Sequence, residues 1–326
     1  MLKDSFHRIH DYLRISLTDR CNLRCFYCMP NEEHDFAPSD RLMQADEIEQ
    51  IAKIFVAHGV KKIRLTGGEP LVRKDAADII RRLSKFPVKL TMTTNGVLLH
   101  KFIDLLKETN LQGINISLDT LNPDTFHELT KRNHFQQVRD NIDLMLHNGF
   151  DVKLNVVAMK GINDAEINDF IALTKSSPIE VRFIEFMPFH GNQWKSDKVL
   201  SLDEIIAIAE QRYQILPQSN DLHATGKLFQ AAGHQGKFAI ISTMSAPFCA
   251  GCNRMRLTAD GKMKNCLFSS GEVDLLSTLR QGQDVLALIE KNLSLKAKEL
   301  GGQFVADIDH VDADAIKNRS MISIGG

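Results

Sequence analysis

The residues best suited to chemistry in this chain are its six cysteines, and all six fall into two tight groups. Cys21, Cys25 and Cys28 stand at Cys-x3-Cys-x2-Cys near the N-terminus, and Cys249, Cys252 and Cys266 at Cys-x2-Cys-x13-Cys near the C-terminus. None is left over, a clustering that inert buried thiols would seldom give. Three thiolates can each bind one iron of a cubane iron–sulfur cluster, which leaves the fourth iron open to a small molecule. Zinc is the competing reading. A closed structural zinc site takes four ligands, and the nearest histidine to the first trio, His34, lies six residues past Cys28.

Two further segments carry chemistry. In Thr66-Gly67-Gly68-Glu69-Pro70, paired glycines at a strand end let a ligand approach the backbone, and Glu69 adds an acceptor. In isolation this would read as a tight turn. Beside the second trio stands Asn253-Arg254-Met255-Arg256. If 254–258 is a strand, Arg254 and Arg256 share one face. From Cys249 to Cys266 the charged residues are Arg254, Arg256, Lys262 and Lys264 against Asp260, a local net of +3. Paired guanidiniums suit two-pronged capture of phosphate oxygens; the bland alternative is a solvated basic strand.

The elements that must position these residues read as a strand–helix series. Strands are expected at Tyr12 to Leu17, Lys61 to Thr66, Val88 to Thr93, Gly113 to Leu118, Val152 to Ala158 and Val181 to Met187, each short and rich in β-branched or apolar residues. Helices are expected at Ala45 to His58, Asp75 to Lys85, Lys101 to Glu108, Val138 to Asn148, Ala165 to Lys175 and Leu202 to Gln211. Six βα units imply a parallel sheet with helices outside, curled as a partial (β/α)6 barrel because the pattern breaks after residue 211. Gln214 to Asn220 reads as a linker. Beyond it lie strand candidates at Phe238 to Thr243, Arg254 to Thr258 and Lys262 to Cys266, and helices at Glu272 to Arg280 and Val285 to Lys298. We therefore expect residues 1–213 as the barrel domain and 214–326 as a smaller α+β domain. The first cysteines directly follow the first strand, at the end where barrel enzymes build their sites.

Composition narrows the class. The 326 residues are 43% hydrophobic and 25% charged, which is ordinary for a globular protein. Forty basic residues against forty-one acidic ones give a net charge of −1, which argues against a broad nucleic-acid footprint. No apolar run approaches the eighteen or so residues of a membrane span, and the opening residues lack a signal-peptide core. A cytoplasmic protein is expected, and reducing cytosol favours metal or redox roles for clustered cysteines.

On Cys21-x3-Cys25-x2-Cys28, with Tyr27 before the last cysteine, and on the Gly67-Gly68-Glu69 segment, the sequence resembles the radical S-adenosylmethionine (SAM) enzymes. The resemblance implies their partial barrel, and a 4Fe–4S cluster whose open iron takes SAM and cleaves it to a 5′-deoxyadenosyl radical. It places Tyr27, Gly68, Glu69, Ser117 and Met187 at SAM. Taken from Arg14 to the terminal Gly325-Gly326, the chain is similar to the GTP 3′,8-cyclase family of molybdenum cofactor biosynthesis. That likeness implies a lyase converting GTP to (8S)-3′,8-cyclo-7,8-dihydroguanosine 5′-triphosphate. It implies a second 4Fe–4S cluster on Cys249, Cys252 and Cys266 that binds the guanine base. It further implies GTP contacts from Arg14, Arg64, Thr93 (preferred over Thr94), Lys153, Arg254, Met255 and Arg256. The catalytic residues it implies are Arg14, Arg254, Arg256, Gly325 and Gly326, with the Gly-Gly tail reaching the active site.

The implied partners are an electron donor of flavodoxin or ferredoxin type and a downstream enzyme making cyclic pyranopterin monophosphate. A homodimer is left open; neither nucleic acid nor membrane is expected. The rival readings are a peptide-modifying radical SAM enzyme with an auxiliary cluster, and a metal sensor without catalysis.

Overall fold

The computed structural model describes residues 1–29, 36–111, 113–303, 311, 313 and 315–326; His34 lies outside them. The strands of the βα series are β1 (Tyr12–Ser16), β2 (Lys62–Thr66), β3 (Lys89–Thr94), β4 (Gly113–Ser117), β5 (Asp151–Ala158) and β6 (Glu180–Glu185). Each lies within about a residue or two of its expected place. The helices between them are α1 (Ala45–Ala57), α2 (Ala76–Ser84), α3 (Ile103–Glu108), α4 (Pro123–Thr130), α5 (Phe135–His147), α6 (Ile167–Ala172) and α7 (Leu202–Glu210). Helix α4 was not expected. It begins on a local signal, Asn122 accepting from the Asp124 and Thr125 amides with Pro123 in the first turn, a position proline suits.

After α7 the structure keeps the three expected strands and both expected helices and adds elements that the sequence reading lacked. The expected linker holds β7 (Ile215–Pro217), followed by β8 (Lys227–Ala231), β9 (Lys237–Ile241), β10 (Arg254–Leu257), β11 (Lys262–Lys264) and β12 (Val273–Asp274). Helices α8 (Leu275–Arg280), α9 (Val285–Ser294) and the short α10 (Met321–Ile324) complete the set. All twelve strands form one sheet, in the order β12-β11-β10-β1-β2-β3-β4-β5-β6-β9-β8-β7. Strands after residue 213 thus extend the six-strand barrel at both edges, β10 parallel to β1 and β9 parallel to β6.

The faces of this sheet differ in kind. Parallel strands covered on both sides usually read as continuous apolar runs. Here the outward positions are apolar and buried under helices, as with Leu13 and Ile15, Ile63 and Leu65, or Val152, Leu154 and Val156. The alternate positions, Arg14, Arg64, Thr93, Asn115, Asn155, Arg182 and Arg254, line a single cavity of about 740 Å³. Side chains from strands across the whole sheet meet there, so the sheet is curled around it. The apolar core runs continuously from Leu13 and Ile15 to Met255, Leu257, Met263 and Leu275.

A shared core predicts shared unfolding. Leu257 is fully buried on the outer face of β10, and Leu257→Ala should cost about 2–5 kcal/mol. Urea denaturation followed by fluorescence and by circular dichroism should show one transition at lower midpoint for both probes. A separate early transition of the C-terminal third would contradict the single core.

Candidate active site

The first trio sits in the loop after β1, and the fold holds that loop from two sides. The Arg24 and Phe26 amides donate to the Thr130 and Leu129 carbonyls at the end of α4. On the other side runs the Gly67-Gly68-Glu69 turn, whose Gly68 and Glu69 amides donate to the Thr18 and Arg20 carbonyls at 2.7 and 2.8 Å. A Cβ on Gly68 would lie 2.5 Å from the Arg20 carbonyl oxygen and 2.7 Å from that of Asp19. Only glycine fits this approach. Glu69 does not reach the cavity wall. It lies fully buried behind it, accepting from the Leu71 and Asn95 amides and the Thr94 hydroxyl at 2.7–3.0 Å. Thr94 is spent on that bond, whereas the buried Thr93 hydroxyl faces the cavity without a partner.

Cys21, Cys25 and Cys28 line the cavity together with Tyr27, Gly68, Ser117 and Met187. The Tyr27 hydroxyl donates to Asp119 at 2.5 Å, and Asp119 also accepts from the Val157 amide at 2.8 Å. Burial pushes all three thiols up, Cys21 to about 11 with the Glu69 charge adding to it, while neighbouring thiols and Asp119 add to the rise at Cys25 and Cys28. Such a trio becomes three thiolates only when bound positive charge compensates. Asn95 Nδ2 and the Leu23 amide already point at Cys21 Sγ, at 3.6 and 3.4 Å.

The second trio lies across the same cavity. Cys249, Cys252 and Cys266 line it beside Arg254 and Arg256. Burial would raise the Cys252 thiol, but Arg254 and Lys296 bring it down to about 6. Lys296, unforeseen from sequence, is buried with its Nζ 3.4 Å from Cys252 Sγ and 3.1 Å from the Arg254 carbonyl. Among the described residues no three His, Cys, Asp or Glu side chains converge on a single-ion point. Thiolates around one zinc sit roughly 3.8 Å apart, given Zn–S bonds near 2.3 Å; thiolates on separate irons of a cube stand farther apart. Each trio brings three thiols to the one cavity, the number that a cube with one open iron takes.

Between the two trios, which the parallel register of β1 and β10 sets toward opposite ends of the strands, the cavity is cationic. Arg14 pairs in register with Arg64 and Arg256 on the neighbouring strands, and Lys62 and Arg182 join them on the wall. Lys153 stays on the inner face of β5, bound to Glu180 at 2.6 Å. With its amide turned to suit its neighbours, the Asn115 oxygen accepts from Arg64 at 2.6 Å and Arg182 at 3.2 Å. Arg14, Lys62, Arg64 and Arg182 stand on the lining with Lys153 beside them on Glu180, and the carboxylates on the same lining are Asp11, Asp119, Glu180, Glu185 and Asp221. Burial would raise the Tyr12 phenol, but Arg64, Arg14 and Lys62 pull it down to about 7, the direction that surrounding cations impose. These cations lie within the strands rather than at the mouth, so the site is a shaft. Arg182 and Lys62 are the members the sequence reading missed.

Three other expected residues are placed differently. Met255 is fully buried in the core on the outer face of β10, so only its backbone can face a ligand. Arg254 stacks on Phe248 at 4.9 Å and leaves its buried Nη1 without a partner. Arg256 is instead engaged, its Nη1 donating to the Gly325 carbonyl at 2.5 Å. The tail therefore enters the site, and Gly326 lines the cavity.

Comparison with known proteins follows this geometry. Residues 15–174 match the family described as the radical SAM superfamily, and residues 179–301 match Molybdenum Cofactor Synthesis C. SuiB of Streptococcus suis has a similar fold, with a TM-score of 0.60 over 91% of this chain and 68% of that one, at 16% identity. The fold is that of a radical SAM enzyme. Among curated relatives, the mitochondrial GTP 3′,8-cyclase of Arabidopsis thaliana is 46% identical over all of this chain and 84% of its own length. The GTP 3′,8-cyclase of Listeria monocytogenes is 41% identical over 100% and 99%. Human molybdenum cofactor biosynthesis protein 1 is 42% identical, and this chain spans 51% of it. The chain belongs to the GTP 3′,8-cyclase family of the radical SAM superfamily. Membership in that superfamily implies a 4Fe–4S cluster and SAM. The relatives span a mitochondrial and a bacterial protein, and no described helix is long and apolar enough to cross a membrane.

The buried turn generates two expectations. Gly68→Ala should displace the cysteine loop, because every atom its Cβ meets is backbone; iron uptake on anaerobic reconstitution should fall by about one cluster's share while the circular dichroism is kept. Full uptake would show that the loop tolerates the shift. Burial raises Glu69 from its ordinary 4.5 to about 7, against the amide and hydroxyl donors around it. The folded chain then holds this proton to higher pH than the unfolded chain. Between about 4.5 and 7 the Glu69 contribution to stability accordingly falls as pH rises. In Glu69→Gln the loss of urea stability from about pH 5 to about pH 7.5 should be smaller than in wild type. Equal losses would place the carboxyl's titration elsewhere.

Proposed function

We propose that this chain is a GTP 3′,8-cyclase, closing GTP to (8S)-3′,8-cyclo-7,8-dihydroguanosine 5′-triphosphate at the start of molybdenum cofactor biosynthesis. The observation that carries the reading is the single cavity with a thiol trio toward each end of the strands and a cationic wall between them. Buried donors left without partners cost about 1–3 kcal/mol each. Arg14 Nε, Thr93 Oγ1 and Arg254 Nη1 are all in that state, donors that a polyanion can satisfy.

In this reading Cys21, Cys25 and Cys28 of the 1–213 unit hold the cluster that serves SAM, with Tyr27, Gly68, Ser117 and Met187 around SAM. Glu69 acts from behind the wall by fixing the turn. When bound, that cluster supplies the electron that breaks SAM to methionine and a 5′-deoxyadenosyl radical. Cys249, Cys252 and Cys266 of the 214–326 unit would hold a second 4Fe–4S cluster, which would supply an open iron for the guanine base. Arg14, Lys62, Arg64, Lys153 and Arg182 bind the triphosphate in the shaft, their charge matching the several negative charges of GTP. Thr93 offers its hydroxyl to the ribose or phosphates, and Arg254 its free donor. Arg256 holds the tail, so that Gly325 and Gly326 close the site against water. The peptide-modifying alternative has only the shared fold behind it.

Bare thiols suit a reducing compartment such as the cytoplasm. Electrons then come from a flavodoxin- or ferredoxin-type donor, and the product passes to the enzyme that forms cyclic pyranopterin monophosphate.

The direct test is anaerobic assay of the reconstituted chain with SAM, a reductant and GTP. Wild type should bind about eight irons, one 4Fe–4S set per trio, and yield 5′-deoxyadenosine with the cyclic nucleotide. Cys25→Ala should keep about half the iron and lose SAM cleavage. Cys252→Ala should lose the other half and the cyclic product. Unchanged iron in Cys252→Ala would remove the second cluster from the account.

The charge assignment has its own test. Arg14→Ala removes a charged hydrogen bond worth about 1.5–3 kcal/mol, so GTP affinity should fall roughly ten- to a hundredfold. Guanosine affinity should barely change. Equal losses for both ligands would move Arg14 away from the triphosphate.

A further inference from the structure

The tail can enter the shaft only if something outside it fixes its course. Arg319 stands two residues before α10, with its side chain three-quarters buried. Its Nη1 and Nη2 donate to the two oxygens of Asp260 at 3.0 and 2.9 Å, and its Nε and Nη2 donate to Glu272 at 3.1 and 2.6 Å. Both carboxylates are themselves held. Asp260, in the turn between β10 and β11, accepts from the Thr258 hydroxyl at 2.6 Å. Glu272, just before β12, has Lys262 Nζ at 3.4 Å. Beside this grip, Asn318 donates to the Leu267 carbonyl at 2.9 Å, one residue after Cys266.

Beyond Arg319 the tail is short and its seat is exact in size. Ile322 and Ile324 are buried. Gly325 adopts φ +85°, and a Cβ there would lie 2.8 Å from Thr66 Oγ1 and 2.9 Å from Ser16 Cβ. Its carbonyl meets Arg256 on β10, the same strand whose following turn carries Asp260. The strand that presents Arg256 to the cavity therefore leads directly into the pad that anchors the tail.

We propose that Arg319, clasped by Asp260 and Glu272, is the positioning residue that sets the Gly325 carbonyl on Arg256 and so completes the active site. The catalytic half of this proposal rests on the GTP 3′,8-cyclase reading; the structural half does not. A planar guanidinium can serve two carboxylates at once, and an ammonium cannot reproduce that fork. Chain ends that lack such an anchor fray.

The test uses the full chain, reconstituted anaerobically, as wild type, Arg319→Gln, Arg319→Lys, and a form lacking Gly325 and Gly326. Hydrogen exchange of residues 320–326, read by mass spectrometry without GTP, should speed at least tenfold in Arg319→Gln. Peptides covering β10 and β11 should be unchanged. Arg319→Lys should fall between. With SAM, reductant and GTP, kcat of Arg319→Gln should drop toward that of the tail-less form, while KM for GTP stays within about threefold. Unchanged exchange in the tail would overturn the latch. Faster exchange with an unchanged kcat would overturn its role in the reaction. If Arg319→Gln does not fold, Asp260→Asn weakens the same grip and must loosen the tail by the same measure. If tail exchange responds but wild type fails to convert GTP, the functional reading falls and the latch stands.

Discussion

The parallel pairing of β10 with β1 is the constraint on which the rest of the structure depends. It brings a segment some 240 residues away against the first strand, with Arg256 in register with Arg14. Closing so long a loop costs entropy, though slowly with length. Met255 and Leu257 offset it by inserting fully buried side chains into the common core. The same pairing dictates the site. The loop before β10 carries Cys249 and Cys252, and the loop after β1 carries Cys21, Cys25 and Cys28. Two trios distant in sequence thereby face one cavity, and strand alternation turns Arg254 and Arg256 into it.

A second constraint is electrostatic. Buried cations facing one another repel strongly where the effective dielectric is low. Asn115 shared between Arg64 and Arg182, and Glu180 shared between Lys153 and Arg182, relieve only part of that repulsion. Lys62 and Arg64 also lie over the Tyr12 ring, at 4.6 and 5.8 Å. In the proposed function a polyanion entering the shaft relieves the rest of that repulsion, as functional sites commonly hold stored free energy.

Much of this was legible in the residues themselves. Period-2 and period-3.6 patterns placed the six βα units, and cysteine spacing placed both trios. Glycine chemistry flagged the turn at Gly67 and Gly68. The missed elements have physical reasons. Helix α4 is eight residues long, and its function is to hold the cysteine loop through the Leu129 and Thr130 carbonyls. Strands β7 and β8 are an antiparallel edge added to a parallel sheet, so no βα rhythm announces them. Arg182 was hidden because Val181 to Met187 reads as an apolar strand; its inward face matters only once the sheet curls. Met255 was assigned through the family likeness, but strand alternation turns its side chain outward. Lys296 and Arg319 are long-range partners of Cys252 and Asp260, and no local pattern marks a contact across forty or more positions.

The central claim is that one shaft holds GTP between the trios, base toward Cys249, Cys252 and Cys266 and triphosphate among the cations. Electron paramagnetic resonance of the reduced Cys25→Ala chain, which retains only the C-terminal trio's cluster, tests it most directly. Saturating GTP should change that cluster's spectrum, guanosine should change it in the same way at higher concentration, and inorganic tripolyphosphate should leave it as it was. A spectrum unmoved by saturating GTP, or moved equally by tripolyphosphate, would contradict the account.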